Sequence, residues 1–203
     1  MQIQEMISAI QRELGIHADG QAGPQTWGAI YERLVGNNIK DLKPSEAIAQ
    51  VDSRSEKVIA TLLPEVRPVA YALVQKAAAA GITIKIISGL RTNAEQDALY
   101  AKRRNPPGGK TFTKAKGGYS CHNFSFAFDI VFFDGKVYLQ QSPKYMVVGA
   151  LGEDLGLEWG WNWKTFPDKP HFQLRPAWVK GLASVQMLAE LRSRHDNGQY
   201  VYA

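Results

Sequence analysis

Apolar residues recur at helical spacing from the start of the chain: Ile3, Met6, Ile7, Ile10 and Leu14 fall on one face, and Gly15 supplies a stop. The pattern predicts a short amphipathic helix. Asp19-Gly20 marks a turn, and Gly23-Pro24 opens a second helix, because proline is favoured at the first helical position. Trp27, Ile30, Tyr31 and Leu34 would form its buried face. Residues 37–52 shift toward Asn, Lys, Pro, Ser and Asp and read as a linker, with a short helix over residues 44–50. Helical spacing returns over residues 53–80, broken at Pro64 and carried through Val69, Leu73 and an alanine run, and Gly81 ends it.

Beyond Gly81 the period changes. Ile82-Thr83-Ile84-Lys85-Ile86-Ile87 alternates and is rich in β-branched residues, which predicts a strand. Thr92 as N-cap and Glu95 at the third helical position form a capping box, opening a helix through Tyr100. Arg91 therefore lies at a strand-to-helix junction, where a side chain is held rigidly and still reaches a cleft. Over residues 126–132, Phe126, Phe128, Ile130 and Phe132 share one face of a predicted strand, while Ser125, Ala127, Asp129 and Val131 share the other. An acid in so apolar a strand is costly to bury unless it is paired or metal-bound. The plainer alternative is a structural Asp129 paired with an arginine. Residues 144–155 read as a helix, Trp159, Trp161 and Trp163 alternate along the extended stretch that follows as core or cleft wall, and residues 182–193 read as a final scaffold helix.

Composition narrows the classes. A chain of 203 residues, 45% hydrophobic and 21% charged, has room for one full domain and a small one. Cys121 is the single cysteine, which excludes an intramolecular disulfide and suits folding in the cytosol. No apolar run approaches the ~20 residues of a bilayer span, and Met1-Gln2-Ile3-Gln4-Glu5-Met6 has neither the basic region nor the apolar stretch of a secretory signal. The expectation is a protein made in the cytoplasm without stable membrane insertion, so some other agent must deliver it to any target outside.

The net charge of +5 is uneven. Residues 101–118 hold Lys102, Arg103, Arg104, Lys110, Lys114 and Lys116 and no acid, among Pro106, Pro107, Gly108 and Gly109. Each charge alone reads as part of a solvated loop; the run as a whole suits a polyanion such as a cell-wall polymer. Nucleic acid is not expected, because no aromatics recur at stacking intervals and no recognition helix is evident. Gly109-Lys110-Thr111 ends like a phosphate-binding loop, but the position five before Gly109 is Arg104 rather than glycine, which excludes that motif.

Two of the four histidines stand beside acids. His122 precedes Asp129 by seven residues, and the chain later reads Asp168-Lys169-Pro170-His171-Phe172. Imidazole and carboxylate are ligands that a catalytic zinc takes, three from the protein with a fourth position open. His122, Asp129 and His171 could supply the three, with Asp168 as a base beside them, which points to a hydrolase. His17 and His195 fall outside every motif and read as surface residues.

Ser88-Gly89-Leu90-Arg91-Thr92, Glu95-Gln96, Leu99-Tyr100-Ala101, Ser120-x-His122-Asn123 with Asp129, and Asp168-x-Pro170-His171-Phe172 together resemble one family. It is the zinc peptidase group of VanX- and VanY-type D-alanyl-D-alanine peptidases and the L-alanyl-D-glutamate peptidases of bacteriophage endolysins. The resemblance covers roughly residues 57–175 and implies an α+β fold, a small antiparallel sheet flanked by helices. It implies one zinc ion on His122, Asp129 and His171, Asp168 as catalytic acid–base, Arg91 opposing the oxyanion, and substrate contacts from Ser88, Gln96, Ser120 and Trp163. The implied activity is cleavage of the L-alanyl-D-glutamate bond of peptidoglycan by a phage lysin, a monomer released to the wall through a membrane hole made by a separate holin. A D-alanyl-D-alanine carboxypeptidase and a non-catalytic wall-binding protein are the alternatives. Relatives usually carry glycine where Ser125 stands and a Gly-Gly pair where this chain has Gly160-Trp161, which bears on the shape of the cleft.

A second resemblance covers residues 3–36. Gln11, Leu14, Asp19-Gly20, Gly23-Pro24, Thr26-Trp27 and Ala29-Ile30 are similar to the small peptidoglycan-binding helical domain of wall hydrolases. It implies wall contacts from Asp19, Gly20, Thr26 and Trp27; a helical hairpin that only packs on the main domain is the alternative. The expected organisation is residues 1–36 as a wall-binding-like segment, 37–52 as linker and 53–203 as catalytic domain.

Overall fold

The computed structural model describes residues 3–31, 33, 51–104, 113–134, 137–139 and 142–203. The expected helix over residues 44–50, Leu34 and Gly109-Lys110-Thr111 lie outside them. Helices α1 (Ile3–Glu13) and α2 (Pro24–Tyr31) open the chain. The pattern located both, but not what covers them. Ile3, Met6 and Ile10 are 75%, 48% and 42% exposed, Trp27 is 42% exposed rather than buried, and the buried residue of α1 is Gln11. Periodicity reports that a helix has an apolar stripe and is silent on whether anything lies against it.

Helix α3 (Ser53–Ile59) begins at Asp52, whose carboxylate accepts from the backbone N–H of Arg54 and Ser55. The Ser55 hydroxyl donates to Asp52 at 2.5 Å and accepts from the Ile86 N–H at 2.9 Å, tying the helix to strand β1 (Lys85–Ser88). Helix α4 (Val66–Ala79) ends as expected at Gly81, with φ +71°. Gly81 N–H donates to Ala78 O and Ile82 N–H to Ala77 O, the paired bonds of a Schellman stop. That stop consumes Ile82, so the strand starts at Lys85 and not at Ile82 as the alternation predicts.

Helix α5 (Asn93–Arg104) carries the expected capping box: Glu95 accepts from the Thr92 N–H at 2.8 Å, and Thr92 Oγ1 accepts from the Glu95 N–H at 3.2 Å. It runs four residues past Tyr100. Strand β2 (Ala127–Val131), the ribbon β3 (Phe133–Asp134) with β4 (Val137–Tyr138), helix α6 (Lys144–Asp154), β5 (Glu158–Trp159), β6 (His171–Gln173) and helix α7 (Ser184–Asp196) complete the order. Helix α2 lies beside α6.

The main sheet is antiparallel with order β1-β2-β6-β5, so the α+β expectation holds. One face of β2 fills the core as the alternation predicts: Phe126, Phe128, Ile130 and Phe132 are 0–1% exposed. On the other face Ala127 and Val131 are buried as well, leaving Asp129 as the position that opens. Helix α6 lies flat on the sheet because Gly149 and Gly152 present no side chain; a Cβ on either would sit 2.4–2.5 Å from the Trp159 or Phe172 ring. The three tryptophans do not share one side. Residues 160–162 form a 3-10 turn, which sends Trp159 into the core and Trp163 toward the site described next.

Candidate metal centre

Sheet register sets the first two donors. Asp129 and His171 are direct cross-strand partners in β2 and β6, and Ser88 of β1 stands opposite Asp129 on its other side. Side chains so paired are neighbours by construction. His122 arrives from a different element, a 3-10 helix at Cys121–Phe124. Ser120 caps it by accepting from the His122 N–H at 3.4 Å, and Asn123 Oδ1 accepts from the Ser120 N–H at 3.1 Å. The turn ends at Ser125, whose φ of +61° makes it the one non-glycine left-handed residue among those described. Glycine adopts that conformation without a Cβ penalty. Ser125 thus holds a backbone conformation that glycine adopts more readily, and a glycine expected at this position would serve the turn.

His122 Nε2, His171 Nδ1 and Asp129 Oδ1 converge, with separations of 3.2, 3.2 and 3.3 Å. The other ring nitrogens fix the tautomers. His122 Nδ1 donates to Gly89 O at 2.8 Å and His171 Nε2 donates to Gln173 Oε1 at 3.1 Å, so both inward nitrogens carry lone pairs. Asp129 Oδ1 is buried and has no hydrogen-bond partner. Three lone pairs aimed at one point are satisfied by a cation, and tetrahedral donors at zinc's bonding distance lie roughly 3.3 Å apart. Electrostatics agree. Burial works to raise the Asp129 carboxyl, yet when the two rings carry protons in place of a metal their charge and hydrogen bonds hold it well below the usual carboxylate range. Burial likewise opposes charge on His171, but Asp129 and Asp168 raise its pKa. The cluster draws positive charge to itself.

Residues 113–174 match a family profile described as D-alanyl-D-alanine carboxypeptidase. The chain is also 36% identical over 125 residues to the peptidoglycan L-alanyl-D-glutamate endopeptidase CwlK of Bacillus subtilis, covering 57% of this chain and 74% of CwlK. The chain belongs to this zinc peptidase family. Solved structures similar to it include the L-Ala D-Glu endopeptidase ChiX of Serratia marcescens, at 25% identity and TM-score 0.45 over 60% of this chain and 86% of ChiX. Another is a variant of the vancomycin-resistance D,D-pentapeptidase VanY in complex with Zn(II), at 15% identity and TM-score 0.48 over 69% and 81% of the two chains.

In this zinc peptidase the triad opens on a cavity of about 650 Å³ that Arg91, Ser120, Trp163 and Asp168 help to line. Asp168 sits on a tight turn: its N–H donates to Gly160 O at 3.0 Å and its carbonyl accepts from the His171 N–H at 3.3 Å. Gly160 is required there, because a Cβ would stand 2.8 Å from Asp168 O and 3.0 Å from His171 Cβ. Burial and the charge of Asp129 raise the Asp168 pKa. Arg91 Nη2 reaches Asp129 Oδ2 at 3.5 Å, so Asp129 faces the histidines with one oxygen and an arginine with the other. The pairing with an arginine is present, and it leaves the other oxygen free to serve as a ligand.

Ser88 and Gln96, expected to contact substrate, are both found on Arg91. Neither lines the cavity; Ser88 Oγ accepts from Arg91 Nη2 at 2.9 Å and Gln96 Oε1 from Arg91 Nη1 at 2.8 Å, so they hold the guanidinium. Ser120 does line it, while its hydroxyl also caps the His122 turn. Trp163 lies with its ring 4.8 Å from that of His171 and donates to Glu158 at 2.6 Å. Sequence reasoning gave no role to Gln173, Gly89 or Asn123. Gln173 had a signal, since it follows His171 by two in a strand and shares its face. Asn123 links two site segments by donating to Arg91 O at 2.7 Å. Cys121 lines the cavity, but burial pushes its thiol up to about 12 and keeps it protonated.

The amino-terminal motif is spent internally. The Gln11 amide donates to Asp19 at 2.6 Å and Thr26 Oγ1 at 2.9 Å, and accepts from the Gly20 N–H at 2.9 Å. Asp19, Gly20 and Thr26 thus organise the hairpin, with Asp19 still exposed, and of the four expected wall contacts Trp27 is the one with an exposed large side chain. His17 is exposed, as is the side chain of His195 at 69%.

Proposed function

We propose that this peptidase is a peptidoglycan endopeptidase that cuts the amide between L-alanine and D-glutamate of the stem peptide, and that it acts as a wall-lysing enzyme. His122, Asp129 and His171 hold one zinc ion, Asp168 is the general acid–base, and Arg91 opposes charge on the carbonyl oxygen. The observation that carries this reading is the convergence of three lone pairs beside a half-buried carboxyl with a raised pKa, all on one cavity. The similarity to CwlK supports the choice of bond.

When bound, zinc supplies Lewis acidity, which polarises the scissile carbonyl and makes water nucleophilic near neutral pH. Asp168 takes the proton that the attacking water loses and delivers it to the departing amine. Its raised pKa suits both halves of that transfer. Arg91 is held from two sides by Ser88 and Gln96, so its charge needs no reorganisation as the oxyanion forms.

Mass spectrometry of purified wall fragments tests the bond. A new D-glutamate amino terminus, absent when a chelator is added, is the expected result; released D-alanine would select the carboxypeptidase reading, and no new terminus would leave wall binding without cleavage. Residues 1–36 are assigned to wall attachment, supported by exposed Trp27 and by a hydrogen-bonded hairpin of its own. Deleting them is expected to weaken binding to intact walls and leave cleavage of a soluble muropeptide unchanged. Equal loss on both would make them part of the catalytic unit.

A further inference from the structure

Charge is distributed unequally along the cavity. Toward α7, Glu158 is already matched by Arg175 at 3.3 Å and by the Trp163 N–H at 2.6 Å, and Met187 and Leu188 add apolar surface. Another part of the lining is built from two short stretches, Thr113-Lys114-Ala115 and Lys164-Thr165-Phe166. Gln96 anchors the first stretch beside Arg91, donating to Thr113 Oγ1 at 3.1 Å and Ala115 O at 2.8 Å. The Lys114 ammonium lies 4.9 Å from the centre of the Phe166 ring, so the two stretches meet there. Lys114 and Lys164 are both exposed and both line the cavity.

The proton route decides which part of a substrate meets this wall. Asp168 delivers its proton to the departing nitrogen, which belongs to the residue on the carboxyl side of the cut bond. That residue must lie against the stretch that carries Asp168, which is also the stretch of Lys164 and Phe166. D-glutamate in a stem peptide continues the chain through its γ-carboxyl and leaves its α-carboxyl free, on the same carbon that bears the departing nitrogen. A negative charge thus arrives two bonds from the cut.

We propose that Lys114 and Lys164 bind this free α-carboxylate, with Phe166 positioning the Lys114 ammonium, so that the enzyme selects stem peptides carrying an acid rather than an α-amide at the second residue. The proposal rests on the bond assigned under Proposed function. Its test is kcat/KM on two soluble muropeptides that differ only in α-carboxylate against α-carboxamide, with zinc content measured in parallel. The wild type is expected to favour the acid by about tenfold, mostly through KM, the order set by two partly solvated charge pairs. Lys114→Met with Lys164→Met should bring the acid down to the value of the amide, and Lys114→Arg with Lys164→Arg should restore the preference. Equal wild-type rates on both muropeptides overturn the proposal, as does a preference that survives the double Met variant. Cleavage of neither muropeptide at this bond overturns the bond assignment and the proposal with it, a result distinct from equal cleavage of both.

Discussion

Asp168→Asn is expected to leave zinc bound at the wild-type level and to lower kcat by about 10³-fold, in the middle of the range for a positioned general acid–base. The amide has nearly the size of the acid, and the turn does not depend on the carboxyl. Its backbone holds it instead, through Asp168 N–H to Gly160 O and His171 N–H to Asp168 O. What is lost is the group that can accept a proton from water and return it to the leaving nitrogen. KM should change little, because the proton transfer occurs in the transition state and not on binding. Metal analysis together with steady-state kinetics on a soluble muropeptide checks both halves. Near-normal turnover would remove Asp168 from the mechanism, and loss of zinc would make its role structural.

The chain stated its sheet and its donors more openly than it stated their supports. A strand such as β2 is legible because one buried face imposes period two, and Asp129 stood out as the acid that broke the pattern. The capping box at Thr92 and Glu95 was legible for a local reason, since both partners lie within one turn. His122 and His171 are 49 residues apart, and donor chemistry together with the ordered set of motifs, not any spacing rule, joined them.

What stayed hidden depends on tertiary neighbours. The resemblance implied substrate contacts from Ser88 and Gln96; strand β1 and helix α5 bring one each onto Arg91, a convergence that no local pattern shows. The tryptophans read as one row because alternation assumes an extended chain, and the 3-10 turn at Gly160–Asn162 breaks that assumption. In α2 the helix was read correctly and the burial of Trp27 was not, because a helix pattern carries no information about its partner.

Asp129→Ala is expected to weaken zinc binding by about 10³-fold, the scale of losing one anionic ligand from a site worth roughly 10 kcal/mol or more. The effect follows from what remains. His122 and His171 would still face each other across 3.2 Å, but without the negative charge that offsets a dication, and two neutral donors do not complete the set. Arg91 would lose one of its three partners while Ser88 and Gln96 kept the guanidinium in place, so a cation would stay near the metal position with no anion between them. The repulsion adds to the missing bond. The fold should tolerate the change: Ala127 already occupies the same face of β2, and removing a buried carboxylate also removes its desolvation cost. Chelator competition for zinc and thermal melting of the metal-free protein separate the two consequences. A variant that melts like the wild type but holds zinc only at about 10³-fold higher free metal is the expected outcome. Wild-type zinc affinity in Asp129→Ala would mean that the three converging lone pairs are not the metal site.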